Sequence, residues 1–218
     1  DVERSRGLGD VYKRQRWLEL SRKLGLIAGE LLDGAPTSLK VTARGELSTE
    51  QIDSLGLSAV RGLFSGIIDE PVTFVNAPQI AQSRGLEYSV ETQTEARAHR
   101  SALEVQVVSA AGNAVTVTGA LTGLEGVEKI VRINGRGVDM RAQGRNLFFQ
   151  YTDAPGALGT VGSKLGNKGI NIEAAALTQA SKGDGAILIL RVEAEVPEAL
   201  VNEIAQELGA SALQIDLD

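Results

Sequence analysis

Cysteine is absent from this chain of 218 residues, and histidine and tryptophan occur once each. The absence of cysteine excludes disulfides, thiol nucleophiles and cysteine-ligated zinc. No apolar run approaches the roughly 20 residues that span a bilayer, and the polar, charged N-terminus is unlike a signal peptide. We therefore expect a cytoplasmic protein with no membrane partner and no metal site.

Positive charge is also in short supply, because acidic residues outnumber basic ones and give a formal net charge of −6. An acidic surface repels polyanions, so a nucleic-acid partner is not expected. Hydrophobic residues make up 43% of the chain and charged residues 23%, which is typical of a globular protein and not of a disordered one. Small molecules and other protein chains remain as partners.

The opening segment, residues 1–15, has neither a helical nor a strand period. It reads DVERSRGLGDVYKRQ, and its ending resembles translated adapter sequence found in some assembled metagenomic genes. A natural flexible tail is the alternative interpretation. We expect a non-native or disordered tail that lies outside the fold, and if it is non-native the gene continues upstream and the chain is a fragment.

Residues 16–143 mix helical and strand patterns. Apolar residues over 17–32 recur at helical spacing. Ser48, with Gln51 three residues later, has the spacing of a capping box and predicts a second helix that runs to about Ile68. The remaining patterns predict a short helix and six strands, over 76–84 for the helix and 38–44, 87–94, 101–109, 114–121, 127–133 and 138–142 for the strands.

From Arg145 onward the order of elements is strand, helix, strand, strand, helix, strand. The predicted elements cover 147–152, 155–167, 170–179, 186–193, 197–208 and 212–217. This order is the split βαβ, ferredoxin-like pattern. The predicted fold class is therefore α/β of the α+β type, with a mixed domain over 16–143, a boundary at Gly144 and a ferredoxin-like βαββαβ domain over 145–218.

The segment after this boundary resembles an ACT domain, the amino-acid-sensing module. The resemblance is carried by the D-x-P-G-x-L pattern at 153–158 and by Gly169-Ile170-Asn171-Ile172. The preceding half is similar to the intervening, allosteric substrate-binding domain of the long-form D-3-phosphoglycerate dehydrogenases, through the stretches 61–64, 75–78 and 129–136. The two resemblances together cover 16–218. They imply the C-terminal regulatory part of such an enzyme, which catalyses the first step of L-serine biosynthesis.

An amino-acid site needs opposite charges a few ångströms apart, and the start of the predicted helix offers them. Asp153 precedes a helix whose second or third residue is predicted to be Gly156, and the free N–H groups of its first turn suit a carboxylate. Asp153 can accept the ligand ammonium, and Asn171 offers both a donor and an acceptor. The plainer interpretations are an N-cap at Asp153 and a turn residue at Asn171.

The resemblance implies that L-serine is the ligand and that it acts by feedback inhibition. The matching positions are Tyr151, Asp153, Gly156, Ala157, Leu158 and Asn171. The alternative for Tyr151 is an ordinary aromatic residue of a strand.

A second candidate site comes from the basic stretch over 129–145, whose positive charges are partly offset by Glu128 and Asp139. Its plain interpretation is a solvated hairpin of mixed charge. The resemblance implies instead that Lys129, Arg141 and Arg191 bind an anionic small molecule such as phosphate or phosphoglycerate. The family has a histidine where this chain has Gly137, so one titratable contributor is missing.

The chain offers no candidate catalytic residue. His99 is interpreted as a solvated loop residue and not as a general base. No Rossmann glycine loop follows a strand, since the glycines within 156–162 have the wrong spacing and lie in a predicted helix. We therefore expect no cofactor in this chain, and the resemblance implies that NAD binds to upstream domains of the parent enzyme.

Two alternative functions stay open at this point. One is a free-standing amino-acid-binding module that controls a partner, and the other is the regulatory half of an L-serine dehydratase. In each case the open edges of a four-stranded sheet are usually paired or covered, which predicts pairing of the ACT domains. We expect a homo-oligomer formed through the ACT and intervening domains.

Overall fold

The computed structural model describes residues 2–49, 52–95, 98–152, 155–178 and 185–218. The chain divides into two compact units, residues 1–135 and residues 136–218. None of the helices in the described ranges is both long and apolar enough to cross a membrane.

The first unit combines helices with a sheet whose strands lie in the order β2-β1-β3-β4-β5. Its helices are α1 (Val2–Leu31), α2 (Asp53–Ser65) and α3 (Ala77–Ser83), with a 3₁₀ helix at Glu46–Thr49. Its strands are β1 (Pro36–Gly45), β2 (Glu87–Gln93), β3 (Ser101–Ser109), β4 (Ala114–Thr122) and β5 (Val127–Ile133). The β1–β2 pair is parallel and the other pairs are antiparallel.

The core of this unit follows the strand alternation that the sequence predicts. Leu39, Val41 and Ala43 of β1 are fully buried, and across the ladder they pair with alternate residues of β3 that are buried as well. Helix α1 packs on β3 and β4, and α2 contacts β1 and β2. One face of the sheet is therefore closed by these two helices.

Helices α1 and α2 approach each other at glycines. A Cβ atom on Gly25 would lie 2.1 Å from the carbonyl oxygen of Ala59, and one on Gly62 would lie 1.8 Å from that of Arg22. Both distances are far inside van der Waals contact, and in each case the obstacle is backbone of the other helix. Only glycine is compatible with this separation of the helix axes.

Two serines add hydrogen bonds across the same contact. Ser21 Oγ donates to the carbonyl oxygen of Leu55 at 2.7 Å, and Ser58 Oγ donates to that of Leu18 at 2.6 Å. Each helix thus supplies one hydroxyl to the backbone of the other. Buried hydroxyls must be paired to avoid a desolvation penalty, so these bonds also fix the register of the two helices.

The second unit contains the predicted βαββαβ order. Following a first strand β6 (Arg136–Arg141), its elements are β7 (Arg145–Tyr151), α4 (Ala157–Asn167), β8 (Ile172–Thr178), β9 (Ala186–Val192), α5 (Glu198–Leu208) and β10 (Ser211–Asp216). Strands β7, β8, β9 and β10 form a four-stranded antiparallel sheet in the order β10-β7-β9-β8. This is the ferredoxin-like fold, and the predicted fold class is confirmed.

Helices α4 and α5 are linked on their outer side by a charged cluster. Lys164 Nζ lies 2.6 Å from Glu203 Oε1 and 2.7 Å from Glu207 Oε2. Hydrogen bonds to these two carboxylates raise the pKa of Lys164, and the same lysine lowers the pKa of Glu203. The cluster is solvent-exposed, so its contribution to stability is small.

Two details differ from the sequence expectations. Helix α1 begins at Val2, so the backbone of the opening segment is helical and not irregular. The side chains of Val11 and Tyr12 are about two-thirds exposed, at 64% and 65%. Whether this segment is native stays a prediction.

The second difference is that the capping box at Ser48 is wrong, because α2 starts at Asp53 with Ile52 as its N-cap residue. Ser48 lies in the 3₁₀ helix that follows β1 directly, where Leu47 is buried. The compact units divide after Gly135, and the domain boundary at Gly144 stays a prediction.

Replacing Gly62 with Ala should destabilise the first unit by about 1–3 kcal/mol or more, since the added methyl group forces α1 and α2 apart. The matched control is Gly162→Ala in α4, where a Cβ would meet nothing within 4 Å. That change should stabilise its helix by about 0.5–1 kcal/mol. Urea unfolding followed by circular dichroism measures both, and a Gly62→Ala protein as stable as wild type would contradict the close helix contact.

Candidate functional site

The first turn of α4 is the core of the predicted amino-acid site. Gly156 is the N-cap residue, with a left-handed backbone at φ +91°, and the helix starts at Ala157. The carbonyl oxygen of Gly156 accepts a hydrogen bond of 2.9 Å from the N–H of Thr160. The prediction that Gly156 is the second or third helical residue is therefore wrong, because Gly156 immediately precedes the first helical residue, although its N–H still lies at the positive end of the helix.

Asp153 lies outside the described residues, so its predicted contact with the ligand ammonium is untested. Because Gly156 occupies the N-cap position, the plainer interpretation of Asp153 as the N-cap of α4 is wrong. An N-cap glycine brings no side-chain oxygen of its own to the helix start, and among the described residues no side-chain cap of this turn is recorded. An N-terminus of this kind suits an anionic group of a ligand.

Asn171 lies immediately before β8 and is exposed. Its backbone is anchored to Glu193, since Asn171 N–H donates to Glu193 Oε1 and Glu193 N–H donates to the Asn171 carbonyl oxygen, both at 3.3 Å. These bonds use only the main chain of Asn171. Its amide side chain is thus fixed at its base and open to solvent.

The other predicted serine contacts divide into exposed and buried residues. Leu158 is 48% exposed, whereas Ala157 is buried beneath the first turn of α4. Tyr151 is only 5% exposed and belongs to the core between the sheet and the helices, along with Phe149 and Leu188. The burial of Tyr151 matches the plainer interpretation of this residue as a strand aromatic.

The predicted anion-binding residues belong to different units. Lys129 lies in β5 of the first unit, opposite Ala120 of β4. Arg141 is the exposed last residue of β6, and Arg191 lies in β9, both in the second unit. Gly137 lies in β6 with open space around its α-carbon.

Arg191 has a partner that the sequence did not indicate. Its Nε donates to Glu173 Oε2 at 2.9 Å, and the arginine side chain is 14% exposed. Whether two residues on neighbouring antiparallel strands meet can be predicted only if the strand register is known. No sequence signal gives that register in advance.

His99 lies in a bend between β2 and β3 and is half-buried, so its interpretation as a loop residue holds while its solvation is partial. It lines a cavity of about 60 Å³ in the first unit, together with Arg44, Glu104 and Arg132. Arg44 is held there by Glu104 at 3.0 Å. Among the described residues, no three His, Asp or Glu side chains are arranged to hold a metal ion.

A larger cavity of about 760 Å³ lies elsewhere in the first unit, against Trp17, Arg100 and Leu124. The indole N–H of Trp17 is buried and has no hydrogen-bond partner among the described residues. None of the predicted serine-binding or anion-binding residues lines this cavity.

Comparison with known families assigns both halves of the chain. Residues 13–134 match the model of the D-3-phosphoglycerate dehydrogenase intervening domain, and residues 145–209 match that of the ACT domain. The first match covers more than half of the chain.

Among curated proteins, D-3-phosphoglycerate dehydrogenase of Mycobacterium tuberculosis is 48% identical over 199 residues, and that of Mycobacterium leprae is 45% identical over 199 residues. The enzyme of Methanocaldococcus jannaschii is 27% identical over 194 residues. These alignments cover 91%, 91% and 89% of this chain but only 38%, 38% and 36% of the relatives. The chain thus spans well under half the length of these enzymes.

Among solved structures, a Bacteroides thetaiotaomicron protein is 20% identical and covers 34% of this chain and 49% of its own, with a TM-score of 0.26. That score is too low to indicate a shared fold.

Replacing Gly156 with Ala should destabilise the second unit by about 1–2 kcal/mol, because an alanine in the left-handed region is strained. The cause is the backbone angle, since a Cβ on Gly156 would meet no atom of the described residues within 4 Å. Gly159→Ala is the matched control, for its Cβ is equally unobstructed but its φ is helical. Thermal unfolding should show the first variant melting lower and the second at or above wild type, and equal effects would contradict the N-cap assignment.

Proposed function

Since the chain belongs to the family of D-3-phosphoglycerate dehydrogenase intervening domains and carries an ACT domain after it, we propose that it is the regulatory, C-terminal part of such a dehydrogenase. In this proposal it binds L-serine in the ACT domain and an anionic small molecule through its basic residues. The observation that carries the proposal is the pairing of the two domain families, in this order, over 13–134 and 145–209. Feedback inhibition of serine synthesis is the function that such a pairing serves.

The serine site is supported by two exposed features at opposite ends of the ACT sheet, since β7 ends opposite Ala186 before α4, whereas β8 starts opposite Val192 just after Asn171. One serine molecule would therefore contact the first turn of α4 in one copy of the chain and Asn171 in a second copy. The first turn of α4 presents backbone N–H groups that the side chain of its N-cap residue, Gly156, does not cap, and such groups suit the carboxylate of an amino acid. Asn171 presents an exposed amide on an anchored backbone, which suits the remaining polar groups. Asp153 is the proposed partner of the ammonium, on the strength of the D-x-P-G-x-L pattern.

Lys129, Arg141 and Arg191 are each proposed to contact the anion, and each is argued from its own surroundings. Arg141 is exposed, and Arg191 presents a guanidinium whose fork of donors matches phosphate and carboxylate oxygens. Phosphate or phosphoglycerate is the proposed class of ligand. With Gly137 in place of the family histidine, this binding would lack one titratable group.

Hydride transfer and NAD binding are proposed to belong to the remainder of the parent enzyme. The curated relatives are named as dehydrogenases, and this chain matches 38% of the mycobacterial ones. These matches favour the dehydrogenase over a free-standing module or an L-serine dehydratase. They are also the reason for proposing that serine acts on a catalytic domain elsewhere in the polypeptide.

Serine binding is tested by replacing Asp153 with Asn and Asn171 with Ala. Loss of one charge-assisted hydrogen bond costs about 1.5–3 kcal/mol, so the Asp153→Asn protein should bind serine about ten- to a hundred-fold more weakly. Asn171→Ala should have a comparable or larger effect, because it removes a donor and an acceptor together. Isothermal titration calorimetry of L-serine measures both affinities.

Asn202→Ala, at an exposed position of α5 that carries none of the proposed contacts, is the control and should bind serine like wild type. A wild-type chain that does not bind serine, or an Asp153→Asn protein that binds it equally well, would show the assignment to be wrong.

The chain is also proposed to form a homo-oligomer through its ACT sheet. Strands β8 and β10 are the edges of that sheet, and open edges are usually paired or covered. Sedimentation velocity at tens of micromolar, with and without serine, should therefore report a dimer or a larger species. A monomer under both conditions would contradict this proposal.

A further inference from the structure

The edge strand β8 contains a β-bulge at Glu173. Ile172 pairs with Val192 and Ala174 pairs with Arg191, so Glu173 is an extra residue without a partner of its own in the ladder. A bulge of this kind re-aims the side chain at the irregular position. It brings the carboxylate of Glu173 to Arg191, whose Nε donates to Glu173 Oε2 at 2.9 Å.

Arg191 is constrained from its other side by the turn before β7. A Cβ on Gly144 would lie 3.3 Å from Arg191 Cδ, so the stem of the arginine rests against this glycine. Asn146, directly across from Arg191 in the sheet, is fully buried and donates to the carbonyl oxygens of Gln143 and Gly144 at 3.1 and 2.8 Å. These bonds fix the turn against which the arginine packs.

The two members of the ion pair therefore differ in freedom. The side chain of Arg191 is 14% exposed and packed, whereas that of Glu173 is 43% exposed and lies on an edge strand. The glutamate can leave the pair by rotating into solvent, but the arginine has no comparable alternative. Any change at this contact is thus a movement of Glu173.

We propose that Glu173 is a built-in competitor for the anion that Arg191 binds. This inference rests on the proposed function, in which Arg191 contacts an anionic effector. Carboxylate and phosphate oxygens use the same guanidinium donors, so the Nε–H that Glu173 occupies is available to an incoming oxyanion only when Glu173 moves away. Until it does, the negative charge of Glu173 also repels the ligand.

The consequence is a weaker anion site that responds only at higher ligand concentration. Glu173→Gln keeps the shape of the side chain but removes its charge, and a neutral amide competes poorly for a guanidinium. An ion pair of this exposure has a modest energy, so the variant should bind inorganic phosphate about three- to tenfold more tightly than wild type.

The experiment is a calorimetric titration of inorganic phosphate at constant ionic strength into wild type and three variants. Glu207→Gln is the matched control, because it is the same substitution at another carboxylate that pairs with a cation, Lys164. It changes the net charge equally and lies on α5, away from Arg191. Arg191→Gln tests the site itself and should lose most phosphate binding.

If Glu173→Gln binds phosphate more tightly than both wild type and Glu207→Gln, the result supports the proposal that Glu173 competes with the anion for Arg191. Equal affinities of Glu173→Gln and Glu207→Gln overturn it, while the anion site stands if Arg191→Gln still weakens binding. If Arg191→Gln binds phosphate like wild type, Arg191 is not a contact, and both the proposed anion site and this inference fall. Circular dichroism of each variant confirms that the comparison is between folded proteins.

Discussion

The close contact between α1 and α2 is the constraint from which the rest of the first unit follows. Gly25 and Gly62 let backbone meet backbone, so the two helices act as one layer on the sheet. On its other side α1 reaches β4, where a Cβ on Gly119 would lie 2.9 Å from Leu20 Cδ1. Helix α1 thus meets α2 backbone to backbone and meets β4 through the side chain of Leu20, and close packing of this kind has low compressibility and transmits strain.

The same helix also fixes the strand that carries one proposed anion contact. Lys23 Nζ of α1 lies 2.7 Å from Glu128 Oε2 of β5, and both side chains are nearly buried. Breaking a buried ion pair is strongly unfavourable because it leaves one charge without compensation. The neighbour of Glu128 is Lys129, so the position of this lysine depends on a pair formed with a helix far away in the sequence.

Sequence reasoning succeeded where one local rule decided the outcome. Strand alternation placed β3 over 101–109 and β5 over 127–133, the bounds that the structure has. It failed at Ser48, because two capping positions at the right spacing cannot reveal that the chain continues from β1 into a 3₁₀ helix. It failed at Gly156 for a related reason, since a glycine just outside a helix and one just inside it look alike. The family, carried by motifs in both halves, could be predicted and is confirmed.

Glu173 could not have been found from the sequence, because its role depends on a register shift between two strands that are distant along the chain. That shift has a further meaning, since Asn171 lies only two positions earlier. Asn171 is hydrogen-bonded to Glu193, and Glu173 accepts a hydrogen bond from Arg191. Both contacts join the start of β8 to the end of β9 or to the residue after it. An edge strand is among the least stable parts of a sheet, and its local movements cost less than those of central strands. In the proposed scheme serine bound at Asn171 therefore acts on the start of β8, whose register determines the contact between Glu173 and Arg191. Serine and the anion would then bind at different sites that are connected through the same strand.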